Sequence, residues 1–308
     1  MENNPASTPS AFSRITGPGL AMGSMFSAQF GAALAVPLMV AQGSFGVSAL
    51  RLACAAVLSL IFIRPNFRSF DLRQWRGAVA LGLVMAAMTL CYFMAVTKIP
   101  VGPAITFDYL GPLSIAIMSL RGWPQVILPA LATGGVLAMT YSNHGWLFAP
   151  AGILFALAGA VGWAGYIVLM RHVGQLFSDQ DGLCLSFTIA AIVALPLTFI
   201  FEPSRHWLAN LPAIAGLALL FPLIPFGLEL VALRRMEMGT FSILMSLEPA
   251  IGALLGFCLL GQTLSLRQMS GVLAVMAASA GAVLMSPKQT AFVLLSETYT
   301  PKIGGGNA

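Results

Sequence analysis

The stretch Ser246-Leu247-Glu248-Pro249 places a carboxylate and a helix breaker inside an apolar run that extends from 239 to 260. The stretch Tyr109-Leu110-Gly111-Pro112 repeats its leucine and its proline at an offset of 137 residues. A charged residue at bilayer depth costs about 2.5 to 3.5 kcal/mol on insertion scales, and by default it marks a substrate or ion pathway. The repeat therefore indicates a pathway between two halves of one membrane protein.

Composition excludes a water-soluble domain. The chain of 308 residues is 58% hydrophobic and 8% charged, whereas about a quarter of the residues in a soluble domain are charged. Ten apolar runs are long enough to cross a hydrocarbon core of about 30 Å, so we predict an all-α integral membrane protein with ten transmembrane helices. The runs cover about 18–39, 47–64, 75–96, 101–120, 124–141, 151–171, 182–202, 211–232, 239–260 and 267–286.

Lysine and arginine predict the orientation, because they are enriched in cytoplasmic loops. With a cytoplasmic N-terminus, eleven of the 15 lie inside, Lys98, Arg205 and Arg267 lie outside, and Arg51 lies within the second helix. This bias predicts a multi-pass protein with both termini in the cytoplasm. The basic residues are spread over short loops, so the net charge of +5 does not imply nucleic acid binding.

The two halves of the chain resemble each other in sequence. The same offset aligns Gly102 with Gly239, and five helices in each half make the second half enter the membrane from the opposite side. Inverted repeats are typical of secondary transporters with a site near the midplane. The alternative is a chance alignment of Gly, Leu and Ala in apolar sequence. The predicted organisation is a cytoplasmic tail 1–17, a first repeat 18–141, a second repeat 151–286 and a flexible cytoplasmic tail 287–308.

Glu248 is the first candidate for substrate binding or proton coupling. It lies about nine residues into its predicted helix, or roughly 13 Å deep. Pro249 cannot donate an amide hydrogen and clashes with the carbonyl of Met245, so we expect a kink or freed carbonyls beside the carboxylate. This arrangement suits a substrate ammonium group or a proton. The alternative is a structural Glu248 paired with Arg51 or with a backbone group.

Asp108 is the counterpart of Glu248 in the first half, displaced by about one helical turn. Gly111 and Pro112, the predicted helix break, follow on the same face at i+3 and i+4. Two carboxylates on symmetry-related helices would share a proton. Alternatively, Asp108 forms a fixed salt bridge with Lys98 or Arg51.

Glu229 follows Pro222, Pro225 and Gly227, which predict a broken helix or a hinge. Irregular backbone at membrane depth is tolerated only where it is buried in protein or faces a water-filled cavity. Glu229 is therefore a candidate gate or proton relay. The alternative is that it reaches water at the cytoplasmic end of its helix.

Four further residues are candidates for the substrate site. Arg51 would bind a substrate carboxylate in bidentate fashion if it points inward, or it would snorkel to the interface. Gln29, Trp163 and Tyr166 lie at mid-helix positions in the first helices of the two halves. In a cavity they would supply hydrogen bonds and an aromatic wall for a small zwitterion; otherwise they are packing residues.

Several motifs are similar to those of a known family. The ninth helix holds Thr240-Phe241-Ser242-Ile243-Leu244-Met245-Ser246-Leu247-Glu248-Pro249-Ala250. With Leu260-Gly261-Gln262, this segment resembles the EamA-like drug/metabolite transporter superfamily. The similarity of the chain to this superfamily extends over about 18 to 287. Gly46-Val47-Ser48-Ala49-Leu50-Arg51-Leu52 and Asp108-Tyr109-Leu110-Gly111-Pro112-Leu113 are similar to its bacterial threonine and homoserine exporter branch.

The resemblance implies a proton-driven exporter of small metabolites or amino acids in the bacterial inner (plasma) membrane. It places Glu248, Asp108, Arg51 and Gln29 at motif positions. The chain departs from the branch at three places: Gln262 replaces a glutamate, Asp108 stands where glutamate is frequent, and Val36 stands where a lysine is usual.

We predict a secondary active transporter that exports threonine- or homoserine-like amino acids, or related metabolites, by proton antiport with alternating access. The alternatives are an uncoupled facilitator and a broader exporter of drugs or aromatic amino acids, whose cavity the 20 Phe and 16 Met would line. An enzyme is not expected, since no HExxH motif occurs and the three histidines fall in predicted loops or at helix ends. The expected partners are a small-molecule substrate, protons and the lipid bilayer. No cofactor and no metal are expected, and the sequence leaves the oligomeric state open.

Overall fold

The protein is built almost entirely of helices. The computed structural model describes residues 11–99, 104, 107–118, 122–142, 145–146, 149–202, 210–236, 238–245, 247–261 and 265–284. Within these residues the only strands are Tyr141–Ser142 and Gly145–Trp146, which form a short antiparallel pair. The predicted all-α class is confirmed.

The described α-helices are numbered here in chain order. They are α1 (Ala11–Gln42), α2 (Ser44–Ile63), α3 (Leu72–Val96), α4 (Leu110–Met118), α5 (Pro124–Thr140), α6 (Pro150–Leu176), α7 (Asp181–Phe201), α8 (Leu211–Ala218), α9 (Ile224–Arg235), α10 (Met238–Met245), α11 (Glu248–Leu260) and α12 (Leu266–Leu284). A π-helix (Leu219–Leu223) joins α8 to α9, and a 3₁₀-helix (Phe67–Ser69) precedes α3.

Six helical spans of the described residues are long and apolar enough to cross a membrane. The chain is therefore a multi-pass membrane protein. The spans are Gly17–Gln42, Ser44–Ile63, Leu72–Val96, Pro150–Leu176, Asp181–Phe201 and Leu211–Arg235.

The remaining predicted runs contain shorter helices. The run at 239–260 is divided into α10 and α11. In the run at 101–120, Phe107 and Asp108 are helical, Tyr109 is in a turn, and α4 follows from Leu110. At the N-terminus, α1 begins at Ala11, so part of the predicted tail 1–17 is helical, because a helix can continue beyond the apolar span that starts at Gly17. Residues 1–10 and the predicted tail 287–308 lie outside the described residues.

Local chemistry explains the turns around α2 and α3. Gly43 has a φ of +99° before α2, a conformation that glycine adopts without a Cβ penalty. Asp71 accepts a hydrogen bond from the backbone N of Gln74 at 2.7 Å, and the Gln74 side chain accepts one from the backbone N of Asp71 at 2.9 Å. This reciprocal capping box satisfies two amides at the start of α3.

The centre of the bundle is formed where helices from both ends of the chain meet. α3 packs against α6 and α7, while α1 packs along α9 and α11. Gly82 lies so close to α7 that a Cβ on it would be 2.6 Å from the carbonyl oxygen of Ser186. α6 also contacts α4 and α9, and α12 packs on α5. These contacts bring α1, α4, α6, α9 and α11 to one region.

The span Leu211–Arg235 is interrupted at Phe221. This residue has an extended conformation, with φ −160° and ψ 120°, inside the π-helix. Pro222 follows it without an amide hydrogen, and Pro225 lies in the first turn of α9, where proline is tolerated. The interruption frees the carbonyl group of Phe221 for a side-chain donor.

Arg234 fastens α9 to the corner between α6 and α7. Its guanidinium group donates hydrogen bonds to the carbonyls of Gly174, Phe177, Ser178 and Asp179 at 2.8, 2.7, 2.9 and 2.6 Å. A cation at the C-terminus of a helix satisfies carbonyls and interacts favourably with the helix dipole. In the sequence, Arg234 is one of the eleven basic residues assigned to the cytoplasmic side, with no other role predicted.

Glu202, directly after α7, has the opposite role at the start of α2. Its carboxylate accepts hydrogen bonds from the backbone N of Phe45 at 3.0 Å and of Gly46 at 2.7 Å. A carboxylate at a helix N-terminus is favoured by the unpaired amides and by the dipole. A side chain on Gly43 would collide with this carboxylate. No motif in the sequence pointed to Glu202.

Candidate functional site

Glu248 opens helix α11 and is only 8% exposed. α10 ends at Met245, and the backbone N of Leu247 donates to the carbonyl of Leu244 at 2.9 Å. A kink or freed carbonyls were expected beside Glu248; the structure has two helices here, with Leu247 in a turn and Pro249 in the first turn of the second helix. The N-terminus of α11 therefore favours a negative charge at Glu248.

Gln29 of α1 holds the Glu248 carboxylate. Its Nε2 donates to Oε1 of Glu248 at 2.8 Å. Gly252, one turn further along α11, makes room for this amide, since a Cβ at Gly252 would lie 2.7 Å from Oε1 of Gln29. The contact joins α1 to α11 across 219 residues of sequence.

Asp108 lies two residues before α4 and faces α6. Its Oδ1 is buried without a hydrogen-bond partner and lies against Gly159, where a Cβ would be 2.7 Å from it. The carboxylates of Asp108 and Glu248 are close enough to repel each other electrostatically. Gly111 brings α4 against α6, since a side chain on it would collide with the carbonyl of Ala160. Pro112 is buried in the first turn of α4.

Tyr109 connects this region to Glu248. Its buried hydroxyl group lies beside the Glu248 carboxylate and interacts with it. Its ring meets the Trp163 ring edge to face, with centroids 4.9 Å apart. The sequence interpretation passed over Tyr109, although its position next to Asp108 in the repeated motif was a usable signal.

Glu229 is buried, with 6% exposure. Ser24 Oγ donates to its Oε1 at 2.6 Å, and the Tyr166 hydroxyl donates to its Oε2 at 2.8 Å. The alternative that Glu229 reaches water was therefore wrong, and Tyr166 is fully buried against Glu229 and Phe226. Glu229 is also within electrostatic range of Glu248. Glu248 thus interacts electrostatically with two other buried carboxylates, Asp108 and Glu229.

Arg51 points inward and is 2% exposed, so the snorkelling alternative was wrong. Its Nε and Nη2 both donate to the carbonyl oxygen of Phe221, at 3.0 and 2.8 Å. The guanidinium carbon lies 4.9 Å from the centroid of the Phe221 ring, a cation–π distance. In this structure the described hydrogen bonds of Arg51 go to the broken helix, whereas Glu248 is held by Gln29.

Two cavities lie outside the carboxylate region. A cavity of about 10 Å³ lies beside Arg51, Thr89 and Phe221, which is room for about one water molecule. A groove of about 530 Å³ lies between α1 and α8. The groove is lined by apolar residues apart from Gln42 and Asn210, so it offers no charged side chain to a ligand. The buried carboxylates are therefore the candidate site for binding a cation. Within the described residues, no three His, Cys, Asp or Glu side chains form a metal-binding group.

Sequence comparison relates the chain to exporters. Residues 150–284 match the EamA-like transporter family. The chain is 31% identical over 272 residues to the threonine/homoserine exporter RhtA of Salmonella typhimurium (strain SL1344), covering 84% of this chain and 88% of the relative. It is 30% identical over 278 residues to RhtA of Escherichia coli (strain K12), covering 86% and 90%.

A solved structure shares the fold. A crystal structure at 20% sequence identity superposes with a TM-score of 0.64 and covers 88% of this chain and 98% of its own. At this identity the likeness concerns the fold alone.

Proposed function

Because the chain belongs to the EamA-like transporter family, we propose that it exports small amino acids of the threonine and homoserine type, or related metabolites, from the cytoplasm. The relatives named threonine/homoserine exporters align over most of both chains, which supports the substrate class. We further propose proton antiport with alternating access as the mechanism.

The observation that carries the mechanism is the position of Glu248. A buried carboxylate at a helix N-terminus binds either a cation or a proton. If it takes the substrate ammonium group in one state and a proton in the other, the two ligands compete for one site. Such competition couples an outward amino acid flux to an inward proton flux. Asp108 and Glu229, both within electrostatic range, would receive the proton in turn.

The proposed architecture is two inverted five-helix halves at 18–141 and 151–286. The contacts between helices support it, because a contact between two helices recurs between their counterparts in the other half. α3 packs on α6 as α9 packs on α1, and α3 packs on α7 as α8 packs on α2. In addition, α2 contacts its counterpart α7, and α5 contacts its counterpart α12. Antiparallel halves related by a pseudo-twofold axis would produce this pattern.

We propose that the protein lies in the bacterial inner membrane with both termini in the cytoplasm. The excess of Lys and Arg in the assigned cytoplasmic segments supports this orientation. In it, Glu229 with Ser24 and Tyr166 lies toward the cytoplasm, and Arg51 with Phe221 lies toward the periplasm. The carboxylates would then form a proton route from Asp108 through Glu248 to Glu229.

In the proposed cycle, the substrate enters from the cytoplasm. Its ammonium group meets Glu248 and Asp108, and its carboxylate meets Arg51 once the Phe221 carbonyl is released, or the N-terminus of α11. Rocking of the halves exposes the substrate to the periplasm. A proton from the periplasm then takes the place of the substrate ammonium group on Glu248 and resets the carrier. Trp163 forms part of the aromatic wall of this site.

The proposal is tested by efflux of labelled threonine from proteoliposomes. An acid exterior should accelerate efflux and drive threonine out against its own gradient, and a protonophore should remove both effects. Equal rates with and without the pH gradient would contradict antiport and leave an uncoupled facilitator. Faster efflux of aromatic amino acids or drugs than of threonine would favour the broader exporter.

A second prediction concerns how Gln29 positions Glu248. Gly252→Ala should displace the Gln29 amide, because the new methyl group would lie 2.7 Å from it, and should weaken coupled efflux. Gln29→Ala removes the amide, so adding Gly252→Ala to it should cause no further loss. The measurement is the pH profile of threonine efflux for the two single variants and the double variant. Additive losses would contradict the positioning role.

A further inference from the structure

The connection between α2 and α3 combines arginines with large apolar side chains. Residues 64–76, called here the basic segment, contain four arginines and one aspartate. The arginines are Arg64, Arg68, Arg73 and Arg76, and the apolar residues among them are Phe67, Phe70, Leu72 and Trp75. In the proposed repeat, the corresponding connection at 202–210 has a single arginine. The excess of positive charge is therefore a property of this segment and not of the repeated architecture.

Aromatic packing holds the basic segment in place. The Phe70 ring meets the rings of Phe177 and Trp75 edge to face, with centroids 5.1 and 6.4 Å apart. Nε2 of Gln74 donates a hydrogen bond to the carbonyl of Leu176 at 3.0 Å. These contacts join the segment to the end of α6, so its arginines are presented by a structured surface.

Three guanidinium groups of the basic segment are not used by the fold. Arg51 and Arg234, by comparison, donate to backbone carbonyls within the bundle. Arg68, Arg73 and Arg76 are exposed, and within the residues that the structure describes their guanidinium groups have no ion pair or hydrogen bond. Two of the three lie three positions apart on α3, which places them on the same face. These side chains are available to an anion outside the protein.

The basic segment lies at a membrane surface. It connects two membrane-crossing spans, Ser44–Ile63 and Leu72–Val96. Leu72 is 65% exposed, which suits contact with acyl chains, while a neighbouring arginine extends its charged end toward the headgroups. The carboxylate of Asp71, the one acid of the segment, caps α3. Basic clusters next to a transmembrane helix attract anionic lipids, and the guanidinium fork matches a phosphate group.

We infer that the basic segment is a binding site for anionic phospholipids. The lipid phosphate pairs with Arg68, Arg73 and Arg76, and the acyl chains lie against Leu72. A zwitterionic phospholipid carries the same phosphate without a net negative charge, so it binds less tightly. The inference does not depend on which solute is exported. Because the segment contacts the end of α6, a lipid bound to it should stabilise the folded protein.

The first test uses Trp75 as the reporter. A variant keeps Trp75 and carries Phe at the other four tryptophans, and its fluorescence is quenched in liposomes by brominated phosphatidylglycerol or by brominated phosphatidylcholine. Phosphatidylglycerol should be preferred. Arg73→Gln should reduce this preference about fivefold, the contribution of one arginine near an anionic surface. The matched control is Arg267→Gln, at an exposed position outside the segment, which should leave the preference unchanged.

The second test needs no tryptophan substitution. Phosphatidylglycerol added to micelles should raise the melting temperature of the wild type, but not that of a variant with Gln at positions 68, 73 and 76. Inorganic phosphate at the same concentration should not raise it. Equal quenching of Trp75 by the two lipids, or equal stabilisation of the wild type and the triple variant, would overturn the inference. Equal stabilisation by inorganic phosphate would also overturn it, because the segment would then bind free anions.

Discussion

Replacing Glu248 with Gln should abolish gradient-driven threonine export. The amide oxygen of the new side chain can still accept the hydrogen bond that Gln29 donates at 2.8 Å, so the local structure should survive. The variant cannot take up a proton or attract an ammonium group, and the buried site is left without its central charge. Threonine efflux from proteoliposomes should fall to that of protein-free liposomes and should no longer respond to pH.

The control for this variant is Asp71→Asn. Asp71 caps α3 in an exposed position, and asparagine is an equally good N-cap. The control removes one carboxylate without touching the buried ones, so export and its pH response should persist. Wild-type coupling in Glu248→Gln would show that Glu248 has only a structural role.

Replacing Arg51 with Leu should cause the largest loss of stability among the variants discussed. The change leaves the Phe221 carbonyl without its two hydrogen bonds at 3.0 and 2.8 Å inside a membrane-spanning segment. Leaving a buried acceptor unsatisfied costs about 1 to 3 kcal/mol, and the cation–π contact is lost as well. The purified variant should melt well below the wild type and transport poorly.

Arg51→Lys separates charge from geometry. Lysine keeps the positive charge but lacks the planar fork that bonds one carbonyl through two nitrogens. Its melting temperature should lie between those of the wild type and Arg51→Leu, and its KM for threonine should rise. The control is Arg73→Leu, at an exposed position on α3, which should have the same melting temperature as the wild type. Equal melting temperatures for all these proteins would show that the Arg51–Phe221 contact does not stabilise the fold.

Local chemistry explains which features the sequence could predict. The apolar runs, the prolines at 222 and 249 and the family resemblance are properties of short segments, so the helical membrane class, the interruption near Phe221 and the relation to EamA-like transporters were predicted from them. The break before Glu248 was foreseen as a kink. Its consequence, a carboxylate at a helix N-terminus, depended on where the chain resumes helical geometry.

Partners distant in sequence explain what was missed. Ser24 and Tyr166 lie 205 and 63 residues from Glu229, and no periodicity within one helix indicates which hydroxyl groups will meet a carboxylate. Arg51 is 170 residues from Phe221. Its partner is a backbone carbonyl, which has no signature in the sequence. A search for charge pairs therefore proposed Glu248 or Asp108 as partners of Arg51.

The four carbonyls bound by Arg234 have a mechanical consequence. They fix α9 to the end of α6 and to the loop before α7, so we expect these parts to move together. Separating them would break several charge-assisted hydrogen bonds at once. Phe221 is already extended within the same span, so we expect the span to bend there rather than within α9. The eighth predicted membrane crossing therefore consists of two helical segments that meet at Phe221. Arg51 holds this point through the carbonyl group of Phe221.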